Sequence, residues 1–100
     1  MMRLTTSQID FIRQLTAQLA GDRAQVRVFG SRLDDAAKGG DLDLLLELPE
    51  PVENPAMLAA HMSAKVSRKM HGRKVDVVIS APNLKKLPIH EVGHREGRLL

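Results

Sequence analysis

Apolar residues along this chain recur in two alternating rhythms, one helical and one extended. Ile9, Ile12, Leu15 or Thr16, and Leu19 are spaced as on one face of a helix. Thr5 with Gln8 forms the signature of a capping box ahead of that stripe, and Gly21 ends it. Val26 to Phe29 is a short β-branched strand running into Gly30-Ser31. Residues 32–40 read as a polar loop closing on Gly39-Gly40, with one helical turn at Asp34–Ala37. From Asp41 to Leu48 the period is two: Leu42, Leu44, Leu46 and Leu48 point one way, and Asp41, Asp43, Leu45 and Glu47 the other.

Pro49 and Pro51 mark a turn, and Asn54-Pro55 is an N-cap followed by proline at the first helical position. Leu58, Met62 and Val66, with Ala59 and Met70, then form an apolar helical stripe that Gly72 stops. Lys74 to Ser80 is a further strand, with Val75, Val77 and Ile79 on one face and Asp76, Val78 and Ser80 on the other. Pro82 breaks it; Leu84–Leu87 reads as a helical turn and Ile89–Arg95 as a short last helix before Gly97. The expected architecture is a two-layer α/β domain over residues 1–100, with three strands, helices on one face and the aspartates on an open face.

Composition narrows the function. With no cysteine, thiolate nucleophiles, disulfides and Cys-based zinc sites are excluded. Neither a signal-peptide apolar core nor a stretch of roughly 20 apolar residues occurs, so a soluble, cytoplasmic chain is expected. A net charge of +3 permits anionic ligands. Phe11 and Phe29 are the sole aromatics, too few for the stacking platforms of a single-strand binder, which argues against direct nucleic-acid binding.

The candidate chemistry lies with the carboxylates. Asp41 and Asp43, two apart on a strand, share a face at roughly 6.5–7 Å spacing. Asp76 sits in mid-strand among aliphatics, where aspartate is a poor strand former. Like charges held together repel unless a cation intervenes, and magnesium, a hard cation that keeps positions open for phosphates, is the natural one. Ahead of them, Gly30 lets a phosphate approach the backbone, Ser31 offers hydroxyl and amide donors, and Arg32 is a charge partner.

Phe29-Gly30-Ser31, nine residues, then Asp41-Leu42-Asp43, with Asp76 in Val-Asp-Val-Val, resembles the signature of the DNA polymerase β-like nucleotidyltransferase superfamily. The size and order of elements look most like its minimal nucleotidyltransferases, the MntA-type antitoxins, and the likeness spans nearly the whole chain. The resemblance implies a small mixed sheet with helices on one face. It implies that Gly30 and Ser31, beside Arg32, bind the β- and γ-phosphates of ATP, and that Asp41, Asp43 and Asp76 hold two Mg²⁺ ions. Asp76 would also help to deprotonate an incoming hydroxyl. It further implies transfer of AMP, plausibly to a tyrosine of a partner HEPN-domain ribonuclease toxin, or neutralisation of that partner by contact alone. So small a chain covers little of a nucleotide, so a partner or a second copy is expected to complete the site.

Two other features compete. His90-Glu91-Val92-Gly93-His94 matches the zinc-peptidase pattern H-E-x-x-H, in which imidazoles at i and i+4 face one metal. Leu100 stands where a third histidine would, leaving His61 or His71 as the remaining ligand, and the alternative is a surface helix. Arg68, Lys69, His71, Arg73 and Lys74 form a basic cluster that reads as a solvated turn or as a docking surface for an acidic partner or RNA.

Overall fold

A computed structural model describes residues 4–29, 42–85 and 97–100. The elements run α1 (Thr6–Ala20), β1 (Gln25–Phe29), β2 (Leu42–Glu47), α2 (Pro55–Lys69), β3 (Val75–Ser80) and β4 (Arg98–Leu99). The strands form one mixed sheet in the order β3-β2-β1-β4. β1 pairs antiparallel with both β2 and β4, while β2 and β3 are parallel. Parallel neighbours need a crossover, and α2 supplies it.

Both helices begin as their sequences dictate. The Thr5 hydroxyl accepts from the Gln8 amide at 3.1 Å, and the Gln8 side chain accepts from the Thr5 amide at 3.0 Å. The Asn54 side chain accepts from the Met57 amide at 3.1 Å, with Pro55 leading the helix. The exit of α2 is less expected. His71 adopts φ 62°, and the Gly72 amide donates to the Ser67 carbonyl at 2.8 Å, closing the turn. This is the left-handed C-terminal cap that glycine usually opens, entered here by a histidine with Gly72 following at φ 82°.

The helices cover one face of the sheet. Val26 and Val28 of β1, Leu42, Leu44 and Leu46 of β2, and Val75 and Ile79 of β3 pack against Ile12 and Leu15 of α1 and Met62, Val66 and Met70 of α2. The period-two assignment of faces in β2 and β3 is therefore observed. Within α1, Ile12, Leu15 and Thr16 are buried and Leu19 packs on the core, whereas Ile9 is half-buried. Buried Thr16 donates its hydroxyl to the Ile12 carbonyl at 2.8 Å, which satisfies it within the helix.

Two expectations change. The sheet has a fourth strand, in which Arg98 and Leu99 pair with Val28 and Arg27. The aspartate face is not bare either, since Leu45 and Phe29 on it are 1% and 6% exposed. Leu84 closes a turn through its amide to the Ala81 carbonyl at 3.1 Å, and the expected helical turn at Leu84–Leu87 runs past Lys85, out of the described residues. Asn83 braces the neighbouring loop, its amide pairing with both backbone groups of Val52 at 2.9 and 2.8 Å. The expected helical turn at Asp34–Ala37 and the last helix at Ile89–Arg95 lie outside the described residues. No helix among the described residues is long and apolar enough to cross a membrane.

Leu44, fully buried at the centre of the sheet, tests this packing. Leu44→Ala is expected to cost about 2–5 kcal/mol in urea unfolding, a large part of a small domain's stability.

Candidate active site

Asp43 and Asp76 each occupy the second position of their strand, β2 and β3. The parallel ladder pairs them directly, with Leu42 opposite Val75 and Leu44 opposite Val77 on either side. Those flanking residues point into the core, so both aspartates project from the face away from the helices. Adjacent strands lie roughly 4.8 Å apart, which sets the carboxylates side by side. Asp43 is half-buried and Asp76 is exposed, so a ligand can approach both.

Hydrogen bonds on either side fix this pairing. The Leu42 amide donates to the Lys74 carbonyl at 3.0 Å, extending the ladder one step beyond the aspartates. From α2, the Ser63 hydroxyl donates to the Val75 carbonyl at 2.6 Å, tying the crossover helix to the strand just before Asp76. Ser63 escapes sequence reasoning, because a serine beside an apolar stripe carries no sign of the distant carbonyl it will meet. Phe29, the last residue of β1, lies opposite Asp43 on the other side of β2. Three strands thus bring their ends to one corner of the sheet.

Gly30, Ser31, Arg32 and Asp41 lie outside the described residues. Of the expected site, the structure brings together Asp43 and Asp76. No group of three or more acidic or histidine ligands occurs among the described residues. Two adjacent carboxylates nonetheless suit magnesium, which takes one or two carboxylates and leaves its other positions to water and phosphate oxygens. Of the zinc alternative, His61 and His71 are both exposed and belong to no such ligand group among the described residues, and His90 to His94 lie outside them.

Glu47 is the last residue of β2. It shares the aspartate face, but its side chain is 22% exposed and accepts from Arg27 Nε at 2.6 Å. Leu45 lies between Arg27 and Val78 on that face, separating the ion pair from the aspartate corner. The Arg27–Glu47 pair was illegible because it depends on the β1–β2 register. By contrast, the Arg23–Glu50 pair at 3.3 Å is about three-quarters exposed on each side and contributes little to stability.

A family model described as a nucleotidyltransferase domain matches residues 9–97, from early in α1 to the residue before β4. Neither a curated protein nor a solved structure matches the chain. The mixed sheet with two helices on one face is consistent with that family, and the match spans most of the sequence. The chain belongs to the nucleotidyltransferase domain family.

Proposed function

We infer that this chain transfers AMP from magnesium–ATP to a hydroxyl acceptor, using Asp41, Asp43 and Asp76 as its metal-binding carboxylates. The observation that carries this reading is the direct pairing of Asp43 with Asp76 on the sheet face away from α1 and α2. Divalent metal bound there would neutralise the triphosphate and stabilise the attacking and leaving oxygens of an in-line displacement.

The chain's own residues divide the remaining work. Gly30 and Ser31 grip the β- and γ-phosphates, with Arg32 as a charge partner, and hold the triphosphate in line. Asp43, half-buried beside β1, is the fixed ligand, whereas exposed Asp76 faces the approach of the acceptor. The acceptor oxygen bonds to the α-phosphorus as the bond between α-phosphorus and bridging oxygen breaks. Pyrophosphate leaves with that electron pair, and the hydroxyl proton passes to the Asp76 carboxylate. Ser63 keeps Asp76 in place through the Val75 carbonyl and is a positioning residue.

The acceptor we favour is a tyrosine of a HEPN-domain ribonuclease, with the chain acting as its antitoxin. The support for this is the likeness of motif to minimal nucleotidyltransferases.

Isothermal calorimetry with magnesium–ATP tests the site, comparing the natural chain with Asp41→Asn/Asp43→Asn. Saturable, magnesium-dependent binding is expected, with affinity falling roughly a hundredfold or more in the variant. Incubation with a purified HEPN protein and ATP labelled at the α-phosphate should then leave label on a tyrosine. Equal nucleotide binding by the variant would remove the aspartates from the site; neutralisation of the partner without label would leave an antitoxin acting by contact.

A further inference from the structure

On the helical layer, away from the aspartates, α1 and α2 enclose a groove of about 370 Å³ lined by Phe11, Leu15, Gln18, Lys65, Arg68 and Lys69. Its floor is apolar, made by half-buried Phe11 and buried Leu15. Its α2 rim is cationic: Lys65, Arg68 and Lys69 are exposed, and none has a carboxylate partner among the described residues. Lys69 Nζ stands 5.4 Å from the centroid of the Phe11 ring, a cation–π distance that holds the ammonium over the groove.

The charge imbalance around the groove is built into the sequence. From Asn54 to Val75 there is no carboxylate, although that stretch holds Lys65, Arg68, Lys69, Arg73 and Lys74. The single acid of α1, Asp10, lines a different cavity, on the flank shared with Gln25 and Leu99. Arg68 and Lys69 also complement the C-terminal end of the helix dipole, but that role does not require Lys65 a full turn earlier or the apolar floor beside it.

We propose that this groove binds an acidic amphipathic helix of a partner protein. Leucine-like side chains of that helix rest on Phe11 and Leu15, and its carboxylates meet Lys65, Arg68 and Lys69. An apolar floor with a charged rim is the arrangement by which helices dock in grooves. RNA fits less well, since sequence-tolerant binding to single strands relies on bases stacking on open aromatic faces. Here one ring alone lines the groove, and it is half-buried. Because the groove is on the helical layer, its occupant leaves the carboxylate face of the sheet accessible.

The test is a titration of the ¹⁵N-labelled chain, followed by NMR, with a synthetic helical peptide bearing leucine on one face and glutamate on its flanks. Saturable shifts are expected at Phe11, Gln18, Lys65, Arg68 and Lys69. In Lys65→Glu/Arg68→Glu/Lys69→Glu, altered only at exposed positions, affinity should fall roughly tenfold or more. Phe11→Ala, with its fold checked by circular dichroism, should weaken binding as well. Unchanged binding by the triple variant would overturn the proposal. So would equal binding of a polyglutamate lacking the leucines, or a short single-stranded RNA that saturates the groove when the peptide does not.

Discussion

The parallel ladder between β2 and β3 is the constraint on which the rest depends. Its register runs from Leu42 opposite Val75 to Glu47 opposite Ser80, and it is pinned by what lies beneath. Leu42, Leu44 and Leu46 are fully buried against the helices, with Val75 and Ile79 beside them. Sliding either strand by one residue would put that strand's apolar set on the opposite face and its aspartate into the core. Both changes are costly, one through lost burial and the other through an unpaired buried charge. The hydrophobic core therefore holds Asp43 and Asp76 side by side, even though neither belongs to it.

The crossover helix couples these two levels. Met62 and Val66 of α2 are buried under the sheet, while Ser63 between them reaches the Val75 carbonyl. The same helix that closes the core thus sets the backbone immediately before Asp76. Its C-terminal half carries the cations that rim the groove with α1. One element therefore contributes to the core and to both proposed surfaces, which face opposite sides of the molecule.

Much of this was legible in the chain. Alternating leucines assign the faces of β2, the valines and Ile79 do so for β3, and Thr5, Gln8, Asn54 and Pro55 mark the helix starts by local chemistry. Those signals are short-range, so they survive without knowledge of the fold. What was hidden depends on pairing between distant segments. Nothing local in Arg27 or Glu47 announces an ion pair, and Ser63 has no visible tie to Val75. A two-residue strand at Arg98–Leu99 is too short to show a period. His71 in the left-handed region is similarly obscure, because Gly72 beside it already explains a helix stop. Asp43 and Asp76 could be assigned to open strand faces, but their adjacency required the strand order. For Gly30, Ser31, Arg32 and Asp41 the reading still rests on the motif they form.

The most direct test of a metal–nucleotide site at the β2–β3 corner is paramagnetic broadening of the ¹⁵N-labelled chain by Mn²⁺ in the presence of ATP. Broadening centred on the amides of Asp43, Asp76 and Phe29, and sparing Lys65 and Lys69, is the predicted result. Broadening centred on His90 and His94, or spread evenly over the surface, would contradict it.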